Sequence, residues 1–123
     1  MTSDEEQEVR WEDQEKINEF GKLNNRLIEL RADIKQIKED IEKLDDASSE
    51  VMMAAEPEFM VLMGEAFVEC DEDFITDYCE KKTEMLNTRL ESLNEEESSI
   101  LARQKELKTE LYSRFGSSIN LET

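Results

Sequence analysis

Histidine is absent from this chain, and glycine and proline nearly so, with three and one among 123 residues. Without histidine there is no imidazole to act as a general base, proton shuttle or neutral metal ligand near neutral pH. Three scattered glycines make no loop that could cradle a phosphate, and no Ser or Cys nucleophile has a recognisable base nearby. Carboxylates are abundant, but on exposed helical faces they are solvated rather than paired in a cleft. No catalytic residue, metal site or cofactor is therefore expected, and the chain does not read as an enzyme. Its two cysteines, Cys70 and Cys79, are nine apart and fit neither a CxxC pair nor a zinc spacing.

Apolar bulk is also scarce. Aromatics make up 7% of the residues and hydrophobic residues 37%, while 39% are charged. That profile suits a long helical or coiled-coil protein and leaves little to fill a spherical interior, so an elongated molecule is expected. No run approaches the roughly 20 apolar residues of a membrane span, and no apolar signal segment is seen at the N-terminus. Positive charge is in deficit too: 15 basic residues against 33 acidic ones leave a formal net charge of -18. Such a field repels phosphate backbones and anionic lipid surfaces, so neither nucleic acid nor membrane is expected as a partner. Its simplest role is to solvate helix faces; the alternatives are to steer a basic partner or to discourage aggregation. Free thiols without an export signal fit a reducing interior, so the cytoplasm is expected, with the nucleus as the alternative.

What the chain does have is heptad periodicity in two stretches. The first runs Phe20, Leu23, Leu27, Leu30, Ile34, Ile37, Ile41, Leu44, Ser48 and Val51, nine of ten apolar. The second runs Cys79, Thr83, Leu86, Leu90, Leu93, Glu97, Ile100, Gln104, Leu107, Leu111 and Arg114. Both step by alternating threes and fours, which keeps one seam of a helix against a partner. Thr83, Glu97, Gln104 and Arg114 put polar groups into the second seam. They read either as register-fixing positions or as gaps open to water, in a seam that loosens toward the termini.

The rare helix breakers fall between these stretches and at their ends. Pro57 closes the first helix, because it lacks an amide hydrogen and disfavours helix in the residue before it. Gly64 separates two short apolar runs, Phe59 to Met63 and Ala66 to Val68, as a hairpin turn would. Asp71 is placed to cap the second helix, with Cys70 and Ile75 as a hydrophobic staple, and Gly116 stands where a C-terminal glycine belongs. The expected layout is an acidic disordered tail over residues 1–8, a helix over 9–53, a β-hairpin over 57–70, a helix over 72–115 and a tail over 116–123. Two arms of about 60 Å each, at ~1.5 Å rise per residue, should fold back as an antiparallel coiled coil.

In the first short run Phe59, Val61 and Met63 share one face and Met60 and Leu62 the other, so the strand is apolar on both sides. An isolated two-stranded hairpin is marginal in water, and this chain offers no third strand. Foreign strands are therefore expected to complete the hairpin, with Phe59, Met60, Val61, Leu62, Met63, Ala66, Phe67 and Val68 as the subunit interface. Met52, Met53, Met60 and Met63 cluster in the same region, as adaptable filler of a subunit core or as a holding surface for clients. At the opposite ends of the arms, Val9, Trp11, Ile17 and Phe20 should meet Tyr112, Phe115, Ile119 and Leu121. That group reads equally as an end cap for the coiled coil or as a contact surface.

The stretches WEDQEKINEF, PEFMVLMGEAFVE and LYSRFGSSINLE resemble the β-type subunits of prefoldin, and the likeness runs over nearly all of the chain beyond its first eight residues. Gly64-Glu65 stands where that family commonly has Gly-Asp, and Trp11 where Phe is common. The resemblance implies one domain over residues 9–123, an antiparallel two-helix coiled coil whose central β-hairpin joins an inter-subunit β-barrel. It further implies two α-type and four β-type subunits in an ATP-independent heterohexamer. Such a complex holds unfolded actin and tubulin at the arm ends and passes them to the cytosolic chaperonin. The client-contact residues would then be the distal group from Val9 to Leu121 named above. Two other readings compete: a homodimeric coiled-coil tether, which gains nothing from a hairpin at mid-chain, and a subunit of a different prefoldin-like complex.

Overall fold

The computed structural model describes residues 11–54, 56–116, 119 and 121. Two helices of 44 residues each, α1 (Trp11–Ala54) and α2 (Glu72–Phe115), flank two five-residue strands, β1 (Phe59–Met63) and β2 (Ala66–Cys70). The fold is the expected one, two long helices with a central antiparallel hairpin. The chain divides into two compact units, one formed by Asp33–Leu93 and one by the segments on either side of it.

The local signals act where the sequence puts them. The strands pair in the register Phe59↔Cys70, Val61↔Val68 and Met63↔Ala66, leaving a two-residue loop of Gly64 and Glu65. Gly64 has φ +64°, the left-handed region that suits a tight hairpin and that a side chain makes costly. At the start of α2 the Asp71 carboxylate accepts a hydrogen bond from the Phe74 N–H at 2.8 Å, satisfying one orphan amide. Its own carbonyl accepts from the Ile75 N–H at 3.2 Å, and Cys70 and Ile75 lie in one buried cluster as a staple requires. Gly116, at φ +59°, follows the last residue of α2.

In the unit formed by Asp33–Leu93, Ile34, Ile37 and Leu93 are buried seam residues, and a cluster of Cys70, Ile75 and Cys79 is packed by Leu44, Val51, Phe59 and Val61. The hairpin therefore lies on its own helices. Both thiols are free and buried, and burial pushes the Cys79 thiol above its usual pKa, so it serves packing rather than reactivity.

In the other unit the seam holds the most completely buried of the described residues. Leu27, Leu30, Leu107 and Leu111 are 0–1% exposed, each contributing about 1.5–3 kcal/mol of apolar burial. The expectation that the seam loosens toward the termini is thus overturned. Two of its polar residues are held by pairs: Glu97 accepts from Arg31 at 3.0 Å, and Arg114 donates to the buried carboxylate of Asp13. Gln104 is different. It is 2% exposed, and neither polar atom of its amide has a hydrogen-bond partner among the described residues.

Two forked ion pairs flank this seam. Arg26 bonds Glu96 at 2.6 and 2.9 Å, and Arg103 bonds Glu19 at 2.6 and 2.9 Å. Each joins α1 to α2 within one chain, and the bidentate geometry specifies the antiparallel register more than it adds stability. The guanidinium of Arg103 holds the Glu19 carboxyl below the usual carboxylate range.

Candidate functional site

The strand register sorts the hairpin's side chains onto two faces, because alternate residues point opposite ways. Phe59, Val61, Val68 and Cys70 share the inner face. Met60, Leu62, Phe67 and Glu69 share the outer one. Phe59 and Val61 are half-buried against the cluster from α1 and α2. Met60, Leu62 and Phe67 are 62%, 60% and 66% exposed.

The inner face is partly covered from within the chain. The chain covers the inner face with its own Leu44, Val51, Ile75 and Cys79, so Phe59 and Val61 are first of all internal packing residues. The outer face remains open, and three large apolar side chains on a two-stranded sheet are unstable company for water. Ala66 and Val68 are exposed, and the side chain of Met63 lies outside the described residues.

Beside β1 a groove of about 380 Å³ is lined by Leu44, Val51, Leu62, Phe74 and Tyr78 among others. With only two strands in the sheet among the described residues, each strand keeps one unpaired edge. An open edge beside an apolar groove can accept another strand, its main chain pairing and its side chains filling the groove. Phe74 and Tyr78, 50% and 47% exposed, were absent from the expected interface. Their signal was in the sequence: two aromatics at i, i+4 off the heptad seam, immediately after the hairpin.

The distal group is brought together only in part. Trp11 is 71% exposed and Tyr112 37%, while Ile17, Phe115, Ile119 and Leu121 are half-buried. The Leu121 N–H donates to the Tyr112 hydroxyl at 3.2 Å, and the Arg114 guanidinium lies 5.2 Å from the Phe115 ring centre. Phe20, by contrast, is 3% exposed, a seam residue with Lys108 over its ring at 5.8 Å. It packs the seam, and Trp11 and Tyr112 are the exposed members of the distal group. Val9 and the acidic segment 1–8 lie outside the described residues.

Among the described residues no chemistry-bearing constellation accompanies these surfaces. Among the described residues no group of three or more His, Cys, Asp or Glu is placed to hold a metal ion, and no helix is long and apolar enough to cross a membrane. The arrangement can bind and hold.

Paired helices carrying one antiparallel hairpin, partly covered on one face and open on the other, define a class of hairpin-bearing helical subunits. The fold matches the prefoldin β subunit from Thermococcus strain KS-1 with a TM-score of 0.77 at 18% identity, covering 89% of this chain and 97% of that one. At the level of sequence, the family model for the prefoldin subunit matches residues 14–118. Probable prefoldin subunit 4 of Dictyostelium discoideum is 38% identical over 118 residues, covering 95% of this chain and 89% of that protein. Prefoldin subunit 4 of Saccharomyces cerevisiae is 36% identical, covering 94% and 90%, and that of Homo sapiens 32%, covering 93% and 87%. The chain belongs to the prefoldin subunit family, and its role is that of a prefoldin chaperone subunit.

Proposed function

We propose that the chain is one subunit of a heterohexameric, ATP-independent co-chaperone that captures unfolded proteins, actin and tubulin among them, and delivers them to the cytosolic chaperonin. Its neighbours are two α-type and further β-type prefoldin subunits, and its place of work is the cytoplasm. The observation that carries the assembly half of this reading is the outer hairpin face, where Met60, Leu62 and Phe67 stay 60–66% exposed. Burying those three side chains against neighbouring hairpins in a barrel would recover about 1.5–3 kcal/mol each.

The client half rests on Trp11 and Tyr112, exposed beside half-buried Ile17, Phe115, Ile119 and Leu121. Such a patch is small and unspecific, which suits weak contact repeated on several subunits; linked sites gain avidity without any tight one. Residue-level chemistry supports a holding surface with no bond-making step.

The test is reconstitution with cognate subunits. Leu62→Asp with Phe67→Asp should abolish incorporation while leaving the helices formed by circular dichroism. Trp11→Ser with Tyr112→Ser should leave incorporation intact and weaken suppression of client aggregation. Normal assembly of the first variant would refute the docking role, and undiminished holding by the second would assign gripping to other subunits.

A further inference from the structure

Methionine is one of the residue types most often buried outright, yet every methionine side chain among the described residues is exposed. Met52, Met53, Met60 and Met85 are 61%, 85%, 62% and 67% open to solvent. The two thiols are placed the opposite way. Cys70 and Cys79 are 7% and 6% exposed, and burial pushes the Cys79 thiol up, which suppresses the thiolate that oxidants attack. Among the described residues, the sulfur that an oxidant in water can reach at the hairpin end is therefore thioether, not thiol.

Met52 and Met53 lie on α1 and Met85 on α2; Met60 alone of the four is on a strand. It stands on the outer face with Leu62, diagonal to Phe67 across the ladder. It also lines the groove beside β1, together with Phe74 and Tyr78. One thioether thus serves both apolar surfaces that the hairpin offers a partner.

An oxygen-atom donor such as hydrogen peroxide changes what that side chain offers. A sulfur lone pair attacks one peroxide oxygen and the O–O bond breaks. The departing hydroxide takes the proton from the oxygen left on sulfur and leaves as water. Sulfur is oxidised by two electrons, the peroxide is reduced by two, and an S=O bond remains. Methionine sulfoxide is polar where the thioether was apolar. A covering apolar surface gives its oxygen no donor, and an acceptor buried without a partner opposes docking.

We propose that Met60 is a reversible oxidation site of the unassembled chain, and that its sulfoxide form docks poorly through the outer hairpin face. The inference rests on the docking role given to that face and adds a redox condition to it. A partner covering Met60 takes the thioether out of an oxidant's reach, so the device acts on free chain and spares assembled chain. A dithiol reverses it through the methionine sulfoxide reductases: two thiols become a disulfide, the oxygen leaves as water and the thioether returns.

The experiment treats the purified chain with hydrogen peroxide, removes the peroxide with catalase and mixes the chain with cognate prefoldin subunits. Peptide mass spectrometry locates the added oxygen, and sedimentation velocity reads incorporation. Oxidised wild type should incorporate at least about tenfold more weakly than untreated wild type, with oxygen on Met60 and both cysteines still thiols. The two reductases, one for each sulfoxide epimer, with dithiothreitol should restore it. Met60→Leu, compared with its own untreated form, should lose nothing on the same treatment, although Met52, Met53 and Met85 stay open to the oxidant. Unchanged incorporation of wild type oxidised at Met60 overturns the proposal. An equal loss in Met60→Leu, or a loss that the reductases do not reverse, overturns it too. Untreated Leu62→Asp with Phe67→Asp tests docking itself. If that variant is excluded while oxidised wild type assembles, the docking role stands and only the redox condition falls. If that variant assembles normally, both fall together.

Discussion

Gln104 gives the sharpest energetic test, because it is a buried amide with two unmet hydrogen-bonding groups among the described residues. Leu107 and Leu111 on the same helix are 0% and 1% exposed, so its surroundings are as dry as any in the molecule. Leaving a buried polar group unpaired costs about 1–3 kcal/mol, and leucine at this position would remove both groups while keeping similar length. Some of that gain is lost because leucine branches where glutamine does not, and reshaping a packed site costs up to about 1.5 kcal/mol. Two such groups, less that repacking cost, leave Gln104→Leu more stable than wild type by at least about 0.5 kcal/mol. The assay is urea unfolding followed by far-UV circular dichroism, read as a rise in midpoint at constant m-value. Gln104→Ala, which removes the polar groups but leaves a cavity costing about 2–5 kcal/mol, should fall below the leucine variant. An unchanged or lower midpoint for the leucine variant, with helicity intact, would show that the amide is satisfied and refute the reasoning.

Two further outcomes follow from the charged seam. Arg114→Ala takes a guanidinium away from the carboxylate of Asp13, which is 5% exposed, and should cost about 2–4 kcal/mol by thermal or urea unfolding, less than a fully buried pair because Arg114 keeps part of its side chain in solvent; a double-mutant cycle with Asp13→Asn isolates the pair itself. Glu19 has a folded pKa lowered by its bond to Arg103, so its contribution is present above the unfolded glutamate pKa and fades as pH falls through the lower folded value. Because that pair is two-fifths exposed, the effect is small, and Glu19→Gln should flatten the acid limb of a stability–pH profile slightly; an unchanged limb would show that the pair does nothing measurable.

The parts of this protein legible in its sequence are those set by near neighbours along the chain. Threes and fours of leucine and isoleucine specify both helices, since a helix repeats every 3.6 residues whatever it packs on. Pro57, Gly64 and Asp71 mark the end of α1, the turn and the start of α2, because a missing amide, a positive φ and a capping carboxylate act within a few residues. The absence of histidine and of a phosphate loop, with the charge of -18, was enough to set the expectation of a non-catalytic chain that repels nucleic acid.

Tertiary structure decided what depends on partners far away in sequence. Alternation told that β1 is apolar on both faces, but not that Phe59 and Val61 would be covered by Leu44 and Val51 from α1 while Met60 and Leu62 stayed open. The heptads put Phe20 on the seam, yet only burial to 3% exposure separates it from Trp11 at 71%. Polar seam residues looked alike in sequence; in the fold Glu97 meets Arg31, Arg114 meets Asp13, and Gln104 has no partner among the described residues. Periodicity states which side of an element is apolar. What lies against that side is a free-energy balance among residues tens of positions apart, and it is settled only when the chain has brought them together.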